Sequence, residues 1–176
     1  MAATQPASAE NPSNVVNLNR RQESSGQPSS PAEILVRAQA RANELNLPFS
    51  GAVTPLEAWE LFNQGAVALV DIRSAEERKF VGQVPNTLHV AWATGTALTR
   101  NPRFVRELEA KTGKGKPVLL LCRSGKRSAA AAEAAVKAGF TQVFNVLEGF
   151  EGDLDDRQQR GGSNGWRHWG LPWIQD

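Results

Sequence analysis

The sequence predicts an α/β domain with a mainly parallel sheet, and three observations point there. Short apolar runs alternate with stretches of helical periodicity from about residue 49 to residue 147, the order expected of strands joined by crossover helices. The two strongest runs, Val67-Ala68-Leu69-Val70-Asp71-Ile72 and Pro117-Val118-Leu119-Leu120-Leu121, are nearly unbroken in their apolar character, as strands covered on both faces are. No internal repeat divides the 176 residues, so one domain with some tail is expected.

Residues 1–30 are rich in Ala, Ser, Pro, Gln and Asn and read as a disordered tail. They lack the basic start and apolar stretch of a secretory signal. Residues 31–47 form an N-terminal helix in this reading. Ser30 caps it, Pro31 suits its first position and Glu33 completes a capping box. Ile34, Leu35, Ala38, Ala42 and Leu45 fall on one face. That face packs on the domain itself or, as the alternative, docks a partner. The main domain is placed at residues 48–176.

Within it, Thr54-Pro55-Leu56-Glu57 repeats the capping chemistry before a helix bearing Trp59 and Phe62, ended by Gly65. The strand at residues 67–72 follows, then Ser74-Ala75-Glu76-Glu77 caps a short helix, and residues 88–92 make another strand. Asn101-Pro102 opens a helix carrying Phe104, Val105 and Leu108, closed by Gly113. The strand at residues 117–121 runs straight into Cys122, an alanine-rich helix spans about residues 127–137, and residues 142–147 form a last buried strand.

Net charge is only +2, and the first 47 residues hold four Arg against four Glu, so nothing marks a nucleic-acid arm. No segment approaches the roughly 20 apolar residues that span a bilayer. One cysteine excludes an intramolecular disulfide and a multi-cysteine metal site. His89 and His168 with Asp153, Asp155 and Asp156 lack ligand spacing, so no metal is expected. A cytoplasmic location, where a lone thiol stays reduced, is the default.

The chemistry concentrates at Cys122-Arg123-Ser124-Gly125-Lys126-Arg127-Ser128. Ligands of parallel sheets bind beyond the carboxyl ends of strands, where the next helix begins. The helix N-terminus offers unpaired amides and a positive dipole end, both of which favour a thiolate. Lys126 and Arg127 add to this if turned inward, and Gly125 lets successive amides converge on the sulfur. A lone cysteine beside leucines is often a core residue, but the six polar, cationic or glycine residues that follow place this one at a mouth.

At this point the chain resembles the rhodanese domains, in whose active-site loop a persulfide forms on the cysteine. Val70-Asp71-Ile72-Arg73 with Glu76-Glu77 is similar to the family's Asp-x-Arg element. The segment Gly82-Gln83-Val84-Pro85-Asn86-Thr87-Leu88-His89-Val90 resembles its Gly-His-Ile-Pro-Gly-Ala-x-Asn-Ile stretch, and Asn145-Val146-Leu147-Glu148-Gly149-Phe150 its last strand and glycine turn. Gln83, Asn86 and His89 depart from the pattern in a supporting turn. The likeness covers about residues 50–173 and implies a five-stranded parallel sheet flanked by helices. It also implies sulfur transfer from thiosulfate or a persulfide to a thiol, cyanide or a partner protein through Cys122, with no cofactor.

Related cysteine phosphatases place five residues between Cys and the phosphate-gripping Arg. Only four separate Cys122 from Arg127, Ser128 occupies the clamp position, and Leu121 stands where a His is usual. The shorter loop suits a sulfane sulfur better than a phosphoryl group. A catalytically silent docking module is the other alternative. Arg123, Lys126 and Arg127 attract anionic donors. Ser128 bonds the thiolate or, as the blander reading, caps the helix. Asp71 and Arg73 pair to brace the loop, Asp71 as support and Arg73 with the better chance of facing the mouth. The tail Gly165-Trp166-Arg167-His168-Trp169-Gly170-Leu171-Pro172-Trp173 resembles the ending of many single rhodanese domains, its tryptophans folded back as anchors.

Overall fold

A computed structural model of the chain describes residues 29–175. All but the last two residues of the expected tail lie outside that span. α1 (Pro31–Glu44) begins at the expected capping box, in which the Glu33 amide donates to Ser30 Oγ and the Ser30 amide to Glu33 Oε2. Its apolar stripe, Ile34, Ala38 and Ala42, is buried against β1 (Gly51–Val53) and α2 (Pro55–Asn63). Arg41 pins the contact by donating to Ala52 O and to Glu57, the same carboxylate that closes the capping box of α2 with Thr54.

The chain continues through β2 (Ala68–Asp71), α3 (Ala75–Val81), β3 (Leu88–His89), a small antiparallel pair β4 (Ala93–Thr94) and β5 (Thr99–Arg100), α4 (Phe104–Thr112), β6 (Val118–Leu121), α5 (Lys126–Lys137) and β7 (Val143–Val146). Five strands form one parallel sheet in the order β1-β7-β6-β2-β3. β6 lies at its centre. All four of its residues are fully buried, each large one stabilising the fold by roughly 1.5–3 kcal/mol.

Strand alternation divides the core in two. Val118, Leu120 and Cys122 join Phe104 and Leu108 of α4 and the alanines of α5 on one face. Leu119 and Leu121 join Ile34, Leu61 and Trp166 on the other. The sheet is thus covered on both sides, which is why its central strands need no polar face.

Two details of the parallel sheet differ from the sequence reading. β1 went unforeseen, because three residues containing a glycine become a strand only by pairing with β7 some ninety positions later. The strand expected at residues 88–92 has just two ladder residues, although the amides of Val90 and Trp92 still donate to Asp71 O and Ile72 O before the chain turns away. At the carboxyl end Trp166 is fully buried, donating from Nε1 to Pro172 O at 2.9 Å and meeting Trp59 edge-on at 6.1 Å. Trp169 and Trp173 stay partly exposed.

Candidate active site

β6 delivers Cys122 on its α5-facing side. Gly125 adopts the left-handed conformation, φ 86°, which an L side chain disfavours. That turn aims the Gly125 amide back at Cys122 Sγ, 3.1 Å away. α5 starts at Lys126, with Gly125 as its cap and no side chain capping it. Ser128 is therefore inside the first turn rather than before it, which decides between its two expected roles, against the cap and for the bond to sulfur. Its side chain is fully buried, and Oγ donates to Cys122 Sγ at 3.1 Å. The sulfur thus receives one N–H and one O–H at the positive end of a helix, an arrangement suited to negative charge on sulfur.

The expected mouth is corrected as well. Cys122 is only 1% exposed and belongs to the core cluster, so the sulfur lies at a floor behind its loop. The turn after β7 supports that floor from below: the amides of Phe150 and Glu151 donate to Cys122 O at 2.8 Å and Arg123 O at 2.9 Å. Gly149 sits between them at φ 66°, and a Cβ there would lie 2.6 Å from Cys122 O and 2.5 Å from Arg123 C. Only glycine fits both the conformation and the space.

Arg127 turns toward α3, not toward the sulfur. Its guanidinium meets Glu77 in a two-pronged bond of 2.8 and 2.5 Å, while Glu77 Oε2 also accepts the Ser74 amide of the α3 capping box. Burial pushes the Glu77 carboxyl up, but Arg127 and the Ser74 amide together outweigh it and hold the carboxyl below its usual range. The same bond raises Arg127 further, against the opposing effect of its own burial. Glu77 was visible in the sequence only as a helix cap. Its pairing with a residue fifty positions away has no local signal.

Asp71 and Arg73 do pair, and both are fully buried. Asp71 accepts from the Arg73 amide at 3.0 Å, from its Nε at 3.0 Å and from its Nη2 at 2.7 Å, with Arg78 at 3.4 Å. Arg73 also donates to Gly82 O at 2.8 Å and lies 4.0 Å over the Phe150 ring. It does not face the mouth, contrary to expectation: the two hydrogen-bonded partners and the ring hold it inward. Through Phe150 it supports the turn after β7, whose amides hold Cys122 O and Arg123 O. His89 donates from Nε2 to Arg73 O at 2.8 Å, and burial, ahead of the other influences, holds it below its ordinary range.

A cavity of about 460 Å³ opens on the loop, lined by Arg123, Ser124, Lys126 and Arg127 together with residues the sequence did not single out: Leu98 from the β4–β5 turn and Leu154 and Arg160 from the segment after β7. Among the described residues no group of three or more His, Cys, Asp or Glu side chains is gathered for a metal, and no helix is long and apolar enough to cross a membrane.

Comparison with known proteins agrees with this fold. Residues 54–155 match the model of the rhodanese-like domain. A thiosulfate sulfurtransferase GlpE from Coxiella burnetii is 30% identical over 99 residues, covering 56% of this chain and 82% of the relative. The uncharacterized protein RP600 of Rickettsia prowazekii is 32% identical over 107 residues, covering 60% of this chain and 80% of the relative. Among solved structures, Rv0390 from M. tuberculosis superposes with a TM-score of 0.66 at 44% identity, over 73% of this chain and 99% of its own. The rhodanese-like domain of the Anabaena Alr3790 protein shares the fold at 12% identity, with a TM-score of 0.52 over 71% and 79% of the two chains. With its five-stranded parallel sheet, its buried cysteine at the end of the central strand and a family match over more than half its length, the chain belongs to the rhodanese-like domain family.

Proposed function

We propose that the chain is a sulfurtransferase that carries a sulfane sulfur on Cys122. The observation that carries this reading is the pair of donors on the sulfur, the Gly125 amide and the Ser128 hydroxyl, each at 3.1 Å. Two donors and a helix N-terminus stabilise a thiolate before the reaction and a leaving thiolate after it. The four-residue spacing to Arg127, whose guanidinium is already bound by Glu77, removes Arg127 as a phosphoryl clamp and weighs against a cysteine phosphatase.

In the first step the Cys122 thiolate attacks the outer sulfur of thiosulfate. The S–S bond of the donor breaks, and sulfite leaves with the electron pair. A persulfide remains on Cys122, dividing the transfer in two. A thiol, cyanide or a protein nucleophile then attacks the outer sulfur, and the Cys122 thiolate departs as leaving group. The cations of the loop raise the local concentration of anionic donors. A reducing compartment such as the cytoplasm keeps the thiol available.

Steady-state turnover of thiosulfate and cyanide to thiocyanate tests the reading. Parallel double-reciprocal plots and complete loss in Cys122→Ser are expected. Cys122-dependent release of phosphate from an aryl phosphate, with no thiocyanate, would favour the phosphatase. No turnover with thiosulfate or with small persulfides would favour the docking module.

A further inference from the structure

The cavity on the loop is too large and too unevenly charged for thiosulfate alone. A single tetrahedral anion displaces on the order of two or three waters of ~30 Å³ each, whereas the cavity measures about 460 Å³, within the roughly 300–1,000 Å³ range of sites for organic molecules. Four of its eight lining residues are cations, and one, Asp153, is an acid. Arg127 is neutralised by Glu77. Arg123, Lys126 and Arg160 have no carboxylate partner among the described residues.

Each of these three is placed differently. Arg123 keeps its Nε buried with no hydrogen-bond partner. Arg160 is fixed from behind, Nη1 donating to Gly152 O at 2.6 Å, so its guanidinium is presented at low entropic cost. Lys126 is exposed at the first position of α5. Asp153 accepts Asn164 Nδ2 at 3.0 Å. Leu98 and Leu154, 37% and 54% exposed, supply the apolar share of the wall.

A second cavity, about 280 Å³, shares Leu98 and Arg123 but is lined on its far side by Glu76 and Glu77. With Glu77 balanced by Arg127, the second basin keeps Glu76 against Arg123, while the first keeps three cations against Asp153, so the two differ in charge. Arg123, next in the chain after Cys122, lines both basins, so each abuts the loop that holds the sulfur.

Resting on the sulfur-transfer reading above, we propose that the acceptor is a small organic thiol carrying two or more carboxylates, read by Arg160 and Lys126 in the basic cavity. Its thiolate attacks the outer sulfur of the Cys122 persulfide. The bond between that sulfur and Sγ breaks, Cys122 leaves as thiolate with the electron pair, and the acceptor departs as its own persulfide. No oxidant or reductant enters. Arg160 is a specificity-determining residue in this scheme, positioned on the segment after β7 and independent of the loop motif.

The test uses the full chain charged with sulfur from thiosulfate or inorganic polysulfide. Discharge is followed by loss of persulfide mass, with 2-mercaptoethanol, 3-mercaptopropionate and mercaptosuccinate as acceptors of zero, one and two carboxylates, and cysteamine as a cationic one. Rates are compared per thiolate. In free solution an anionic acceptor is repelled by a persulfide anion, so the uncatalysed order falls with carboxylate number. The protein is expected to reverse it, with mercaptosuccinate roughly tenfold faster than mercaptoethanol from two partly exposed charge-assisted contacts. In Arg160→Gln with Lys126→Gln that ratio is expected to fall toward one, and Arg160→Lys alone to retain most of it. A ratio at or below one in the unmodified protein, or a ratio the double variant leaves intact, would overturn the proposal. Fastest discharge by cysteamine would place the acceptor in the Glu76 basin and overturn it equally. A charged protein that does not discriminate refutes this inference alone; a protein that takes no sulfur from either donor refutes the sulfur-transfer reading and this with it.

Discussion

Replacing Ser128 with alanine isolates one of the two donors on the sulfur. Ser128 is fully buried and its Oγ donates to Cys122 Sγ at 3.1 Å, so no water competes for the bond or replaces it cheaply. A hydrogen bond to a charged partner contributes about 1.5–3 kcal/mol, and a sulfur acceptor places this one at the lower end. At about 1.4 kcal/mol per factor of ten, Ser128→Ala should slow release of sulfur from the Cys122 persulfide roughly tenfold, because charge returns to Sγ as it leaves. The Gly125 amide at 3.1 Å remains, which is why the loss is not larger. The assay is single-turnover discharge of charged protein to cyanide, with urea denaturation in parallel. Stability should change by less than about 1 kcal/mol, since one hydroxyl leaves and no buried donor is orphaned. A discharge rate within twofold of the parent would refute a role for the Ser128 hydroxyl on the sulfur.

Two further outcomes follow from the buried charges. Asp71→Asn leaves Arg73 fully buried without its counter-ion, and should cost about 3–5 kcal/mol of stability in urea denaturation; replacing Asp71 and Arg73 together by Leu and Met should recover part of that loss. Glu77→Gln breaks the bond to Arg127. Because the folded-state carboxyl of Glu77 is held below its usual range, its contribution is present above the unfolded value of about 4.3 and fades as pH falls through the lower folded value. The stability gap between parent and variant, roughly 1–2 kcal/mol for a pair that is only partly buried, should therefore be full at pH 7 and close below about pH 4. A gap that persists unchanged in acid would show that it does not come from the ion pair.

What the sequence revealed was local or periodic. Capping boxes at Ser30, Thr54 and Ser74 are written within four residues and appear where expected. The unbroken apolar run into Cys122 placed the nucleophile candidate at the end of a central strand, as observed. The rest depended on residues far apart in the chain. β1 exists through β7. Glu77 reads as a cap until Arg127 is seen against it. Arg73 looks like a mouth residue until Phe150 and Gly82 O hold it inward. Polar neighbours in sequence suggested an open sulfur, yet Gly125 folds the loop over it and buries it. Leu98 and Arg160 reach the cavity from segments with no motif at all.

Sulfur carriage on Cys122 is tested most directly by the intact mass of the protein after incubation with thiosulfate and removal of excess donor. The expected result is a gain of one sulfur atom, reversed by cyanide or a thiol and absent in Cys122→Ser. A mass that does not change with thiosulfate or a small persulfide, or an adduct that survives in Cys122→Ser, would contradict it.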